Sequence, residues 1–238
     1  MNKRIQWIED GLLFVVRYGK TTNAKISEGN APIVQTYTFD VRQLELANNG
    51  RKITPAEFYA LDIRNCLDCP LSGNVNNGAG KCYTHKYMQF SGFLSMLRSI
   101  GKVEQISTEC TDLMRSQILR WCAGNFVRFG TYGEPALLPF DLVENMALNS
   151  KSWTGYTHQA RRIWAQPFKA LFMASAHSDK DAASITGWRS FIAKPKSEES
   201  AGVQCPASAE LHLTNCSACG LCSGLNGKGK KNIKINAH

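Results

Sequence analysis

Seven of the nine cysteines in this chain fall into two short stretches, and that grouping constrains the fold more than any other feature. The first stretch, NCLDCPLSGNVNNGAGKCYTHK, sets Cys66, Cys69 and Cys82 in a Cys-x2-Cys-x12-Cys spacing, and His85 follows after two more residues. The second begins at Cys205-Pro206 and ends in the triplet Cys216, Cys219 and Cys222. Two thiolates spaced by two residues can face one ion across a tight turn. A third can arrive after a loop rich in glycine and asparagine, which folds over the metal. The cysteine total is odd. The N-terminal MNKRIQWIEDGLLFVVRYGK has a short apolar stretch broken by acids and no small-residue cleavage site. A disulfide framework is therefore not expected, a cytoplasmic location is, and metal binding accounts for the grouping.

Which metal is left open by the residues themselves. Cys66, Cys69, Cys82 and His85 would make a tetrahedral zinc site of three thiolates and one imidazole. The three thiolates alone would suit a 4Fe-4S cluster with one open iron. In the second group a tight triplet plus a remote Cys-Pro matches four-cysteine iron–sulfur ligation. His238 is a further ligand candidate there, if the IKINAH strand returns to the cluster. Cys110 and Cys122 lie twelve residues apart on one expected helix and read as small buried hydrophobes.

The rest of the chain reads as an α/β protein. GLLFVVRY (11–18) and APIVQTYTFDV (31–41) carry the β-branched and aromatic residues of strands, so 1–54 is expected to be an N-terminal β segment. FYALDIR (58–64) reads as a strand or a short helix after Pro55. HKYMQFSGFLSMLRSIG and STECTDLMRSQILRWCAG have helical apolar spacing, the second with Ser107 or Thr108 as its cap and Gly124 as its stop. From 125 to 194 expected strands (NFVRFG, WTGYTH, KALFMASA, WRSFIAK) alternate with short helices, as in parallel βαβ units. About five or six units fit between 55 and 194, which predicts a partial (βα) barrel. Residues 195–238 then form a cysteine-rich, metal-binding extension. Such folds keep their chemistry at the C-terminal ends of the strands, which makes His158, His177 and Asp179 candidates for acid–base or substrate contacts.

Net charge is +9 in 238 residues, which suits contact with a polyanion. Arg161, Arg162, Lys228, Lys230 and Lys231 are the candidate phosphate contacts. No run of about 18 apolar residues is present, so no membrane span is expected. There is no G-x-S-x-G, H-E-x-x-H or Walker A loop.

Two stretches carry a resemblance. LDIRNCLDC resembles the first strand and cluster loop of radical S-adenosylmethionine (SAM) enzymes, and RFGTYGEPALLPFDLVENM is similar to their second strand, Gly-Glu-Pro motif and helix. The resemblance implies a radical-SAM-like barrel, SAM on the open iron of a cluster at Cys66, Cys69 and Cys82, and contact of Gly133 and Glu134 with the amino group of SAM. It also implies an auxiliary cluster at Cys205, Cys216, Cys219 and Cys222. The order of motifs over 55–238, with Cys82-Tyr83, Tyr156-Thr157, the late CP…CxxCxxC block and a terminal I-x-I-x-x-H, is closer to the gene-product-88-like proteins of phages and plasmids. The chain departs from the usual radical SAM spacing, Cys-x3-Cys-x2-Cys. Three functions stay open at this stage: SAM-dependent radical chemistry, zinc-stabilised nucleic-acid binding, and a non-catalytic iron–sulfur factor that targets a host protein.

Overall fold

In the computed structural model, residues 3–27, 31–76, 82–85, 87–197, 199–208 and 210–236 are described. The chain opens with an antiparallel hairpin, β1 (Lys3–Glu9) and β2 (Leu12–Gly19). Asp10 and Gly11 join them with φ of 50° and 74°, the left-handed values that a two-residue type I′ turn needs. β3 (Ile33–Asp40) pairs with β2, and Asp40 then caps α1 (Val41–Ala47) through a reciprocal bond with Gln43. Thr54, Pro55 and Glu57 start α2 (Pro55–Tyr59) with a second capping box. The segment FYALDIR is thus the end of a short helix and the turns after it, the second of its two expected forms. α3 (Tyr87–Ile100) and α4 (Asp112–Cys122) follow, the latter capped by Thr111 rather than by Ser107 or Thr108.

The alternation expected beyond residue 125 is present. It runs β4 (Phe126–Tyr132), α5 (Phe140–Asn149), β5 (Ser152–Thr154), β6 (Tyr156–Thr157), β7 (Met173–Ala176), α6 (Asp179–Ser184) and β8 (Ser190–Lys194). β9 (Val203–Gln204), α7 (Cys216–Cys219) and β10 (Ile233–Asn236) close the described chain. The class is α/β, with two five-stranded sheets in the orders β1-β2-β3-β4-β5 and β6-β7-β8-β10-β9. From β3 onward every described pairing of strands is parallel. Both sheets are open, so no closed barrel is seen among the described strands. The N-terminal strands share one sheet with β4 and β5, and β10 inserts between β8 and β9. The second sheet therefore includes two short strands of the C-terminal segment, β9 and β10.

The two sheets meet in one stretch of chain, where Gly155 separates β5 from β6. A Cβ at Gly155 would sit 2.3 Å from the ring of Phe172, which is fully buried. Alternation along β2 builds the first sheet's two cores. Phe14 and Val16 face α4 and α5 with Val34, Ile118 and Val143, while Leu13 and Val15 face α1 and α3 with Phe39, Leu44 and Leu97. β3 is buried along its whole length, as a central strand covered on both faces must be. No helix of the described residues is long and apolar enough to cross a membrane.

Candidate metal centres

One cavity of about 450 Å³ is lined by all seven grouped cysteines. Its wall is made by alternate residues of parallel strands from both sheets. Arg128, Gly130 and Tyr132 of β4 face it, and so do Thr154, Tyr156 and His158, which span the break at Gly155. Phe191 and Ala193 of β8 and Ile233 and Ile235 of β10 continue that wall.

Cys66 and Cys69 sit in the turns that follow α2. The N–H of Cys69 donates to the carbonyl of Cys66 (3.1 Å), and Leu67 between them takes φ of 51°. Cys82 is brought back to this turn by its N–H bond to the Leu71 carbonyl (3.1 Å), and its sulfur lies 3.1 Å from the Thr84 hydroxyl. Residues 77–81, inside the loop between them, lie outside the described residues. Burial pushes the Cys66 thiol far up and Cys69 up to about 12, with the acids Asp62 (for Cys66) and Glu134 adding to the rise.

His85 lines the same cavity. Its Nε2 is 3.1 Å from Asp62 Oδ2, its ring stacks on Tyr59 at 3.8 Å, and its Nδ1 is buried without a partner among the described residues. A carboxylate on one ring nitrogen leaving the other available is the arrangement that orients metal-ligating histidines. Asp62 is itself fully buried and held by Gln43 (2.9 Å), Asn65 (3.2 Å) and the Tyr132 hydroxyl.

The C-terminal group is assembled from the crossover between β9 and β10. Cys205 N–H donates to the Lys234 carbonyl on β10 (2.9 Å). Asn215 caps α7, and Gly220, at φ of 62°, ends it. Cys216 N–H donates to the Lys25 carbonyl and Ser217 N–H to Ile26, both at 2.9 Å, so the loop before β3 holds this helix. The Cys222 carbonyl takes the N–H of Gly155 (3.2 Å) and so occupies the gap between the sheets. The Tyr156 hydroxyl acts on the Cys222 thiol, and burial pushes that thiol up to about 12. All seven cysteines are free. Among the described residues no three Cys, His, Asp or Glu side chains lie close enough to hold a single ion as they stand. A tetrahedral zinc would draw its sulfurs to within about 3.8 Å of one another, whereas a four-iron cluster gives each thiolate its own iron.

Gly133 and Glu134 follow β4 and line the cavity. Gly133 has φ of 74° and packs on the Thr38 carbonyl of β3. The Glu134 carboxylate is buried and accepts from Ala136 N (3.0 Å) and His158 N (3.1 Å), and its own N–H donates to the Asn65 carbonyl (2.7 Å). Burial raises its pKa to about 7 against these bonds. His158 and His177 line the cavity and stack at 5.5 Å, with Nε2 of His177 buried and unpartnered among the described residues.

Other expected site residues lie elsewhere. Asp179 turns away to accept from the Ser200 hydroxyl (2.7 Å) and Ala201 N (3.2 Å), and Asp181 takes the His177 N–H instead (2.9 Å). Arg161 is paired with Asp181 (2.7 Å) and Arg162 with Asp68, which lies between Cys66 and Cys69. Lys228, Lys230 and Lys231 are exposed and line no part of the cavity. His238 lies outside the described residues. The sequence reading passed over Asp62, Lys25, Arg128 and Arg189. A period-2 reading of RFGTY could have found Arg128; the others come to the site through long-range packing.

No known protein-family model matches the chain, and no curated protein or solved structure gives a match.

Proposed function

We propose that the chain is an iron–sulfur protein of the radical SAM kind. Cys66, Cys69 and Cys82 would hold a 4Fe-4S cluster, and Cys205, Cys216, Cys219 and Cys222 a second one. The observation that carries this reading is that two cysteine groups more than a hundred residues apart line one cavity at the ends of parallel strands. A partial-barrel architecture is supported by the parallel order of β3 to β10 and by the alternate residues that both sheets turn toward that cavity. The donor set fits: seven free thiols, three of them buried and four half-buried, with hydroxyls near Cys82 and Cys222 that can donate to sulfur. The chemistry that such a first cluster would supply is one-electron reductive cleavage of SAM to methionine and a 5′-deoxyadenosyl radical, which becomes 5′-deoxyadenosine by taking a hydrogen atom from the substrate. In that reaction Glu134 would hold the SAM ammonium, Gly133 would keep the backbone close enough to reach it, and His158 and His177 would face the substrate.

His85 supports a second reading for the first site. Its orphaned, buried Nδ1 and its Asp62 partner fit a fourth protein ligand, which would close the site as a structural zinc centre of three cysteines and one histidine. In that case nucleic-acid binding through the exposed Lys228, Lys230 and Lys231 is the function to test, by the salt dependence of affinity.

The deciding experiment is iron, sulfide and zinc content with a visible spectrum, on protein purified without oxygen. About eight irons per chain, and 5′-deoxyadenosine from the reduced protein with SAM, are expected. Two zincs and no colour would overturn the iron–sulfur reading. About eight irons with no SAM cleavage would leave a non-catalytic iron–sulfur protein.

A further inference from the structure

Resting on the iron–sulfur reading, we infer that the C-terminal quartet, Cys205, Cys216, Cys219 and Cys222, is the higher-potential of the two sites and takes up the first electron the protein receives. The two cysteine groups face charges of opposite sign. The side chains that act on Cys66, Cys69 and Cys82 include the buried acids Asp62 and Glu134. Around the quartet the balance is cationic. Lys25 and Arg128 line the cavity beside Cys216, and the backbone bond from Cys216 to Lys25 fixes that neighbourhood. Glu210, beside Cys205, stands on the other side of this balance.

Arg189 is the most telling of the cations. It is 4% exposed, and its guanidinium donates to the carbonyls of Leu221 (3.0 Å), Gly224 (2.9 Å) and Lys231 (2.7 Å). Among the described residues no carboxylate pairs with it. A buried charge left without a counter-charge is costly. Its bond to the carbonyl of Leu221, the residue before Cys222, brings the guanidinium within electrostatic reach of Cys222, so the thiolates of the quartet are the counter-charge.

Reduction adds one electron to an already negative cluster. Nearby cations stabilise the reduced form more than the oxidised one, and nearby acids do the reverse. Hydrogen bonds to sulfur also raise a potential, and here they favour the first group, which has two such contacts against one at the quartet. Tyr156 serves Cys222, while Thr84 and His158 lie against Cys82 and Cys69. The fourth thiolate of the quartet also works against this order, and the order holds because Lys25, Arg128 and the buried Arg189 outweigh it while Asp62 and Glu134 hold the first site down.

The test is an anaerobic titration with dithionite and mediators, followed by electron paramagnetic resonance. Wild-type protein is expected to reduce in two separate steps. Cys219→Ala should lose the higher one and Cys82→Ala the lower one. Lys25 is exposed, so Lys25→Glu should fold normally. It should move the higher step to lower potential and leave the other in place. Two iron–sulfur signals with the C-terminal one reducing last, or an unmoved step in Lys25→Glu, would overturn the ordering while leaving the metal reading intact. Protein without iron would overturn both.

Discussion

Nδ1 of His158 lies 3.5 Å from Sγ of Cys69, although 89 positions separate the two in the chain. The contact is the last link of a closed run of bonds. Asn65, one residue before Cys66, accepts from the Glu134 N–H, and the Glu134 carboxylate accepts from the His158 N–H. The cluster loop, the turn after β4 and the turn after β6 are thereby fixed to one another. Burial and the neighbouring His177 push the His158 pKa down to about 4, so the imidazole is neutral at pH 7.

A neutral imidazole donates from one nitrogen only. Facing a thiolate, that nitrogen is Nδ1. His158→Ala should therefore lower the reduction potential of the cluster at Cys66, Cys69 and Cys82, because a hydrogen bond to sulfur is lost. The C-terminal cluster should not shift. His158→Gln, which keeps an N–H donor of similar reach, should recover part of the loss. Equal potentials in all three proteins, read by the same titration, would show that the contact carries no hydrogen bond.

Glu134 makes stability depend on pH. Its folded pKa is raised from 4.5 to about 7, chiefly by burial. Between those values the folded state binds a proton that the unfolded state has released. The stabilisation is full below the unfolded pKa and is lost as pH rises through the folded one. The expected loss is roughly 3 kcal/mol between about pH 4.5 and pH 7. Glu134→Gln should lack this slope. Urea unfolding of both proteins across that range measures it, and identical slopes would contradict the burial of an ionisable carboxyl at this position.

β2, β3, β4, β7 and β8 were legible because their apolar residues come in short runs between turn signals, whereas WTGYTH, read as one strand, is split at Gly155 into β5 and β6 of different sheets. β1 was not legible, since Lys3, Arg4, Gln6 and Glu9 dilute its apolar residues and only the partner strand organises them. FYALDIR has the alternation of a strand, but the Thr54–Glu57 capping box turns its first residues into a helix. The cysteine groups were visible as groups. That they share a cavity was not, because it depends on β10 pairing between β8 and β9 and on Lys25 and Ile26 holding α7. Those contacts span long stretches of chain and leave no local pattern. Asp179 drew attention by following a strand, whereas the bond to His177 comes from Asp181, two residues later, in the first turn of α6.

Gly133 and Gly187 form a matched pair. Both have positive φ, 74° and 77°. A Cβ at Gly187 meets nothing within 4 Å, while one at Gly133 would sit 2.3 Å from the Thr38 carbonyl oxygen. Gly187→Ala should cost about 1–2 kcal/mol, the backbone penalty alone. Gly133→Ala adds a clash with backbone of the central strand β3 and should cost about 2–4 kcal/mol or more. Chemical denaturation of the two variants compares them directly. Equal costs would mean that β3 yields, and the turn carrying Glu134 would then not be pinned to it.

Asp179 should matter to a loop and not to the cavity. Its carboxylate is exposed and ties Ser200 and Ala201 to the start of α6, on the approach to β9. Removing two hydrogen bonds at an exposed site should cost about 1 kcal/mol, felt locally. Asp179→Ala should therefore speed limited cleavage by trypsin after Lys196, because the 195–202 segment loses its tether. Metal content and the cluster potentials should stay at wild-type values, since the side chain reaches neither cysteine group. A fall in metal content without faster cleavage would return Asp179 to the site, and the loop bonds seen here would then be incidental to its role.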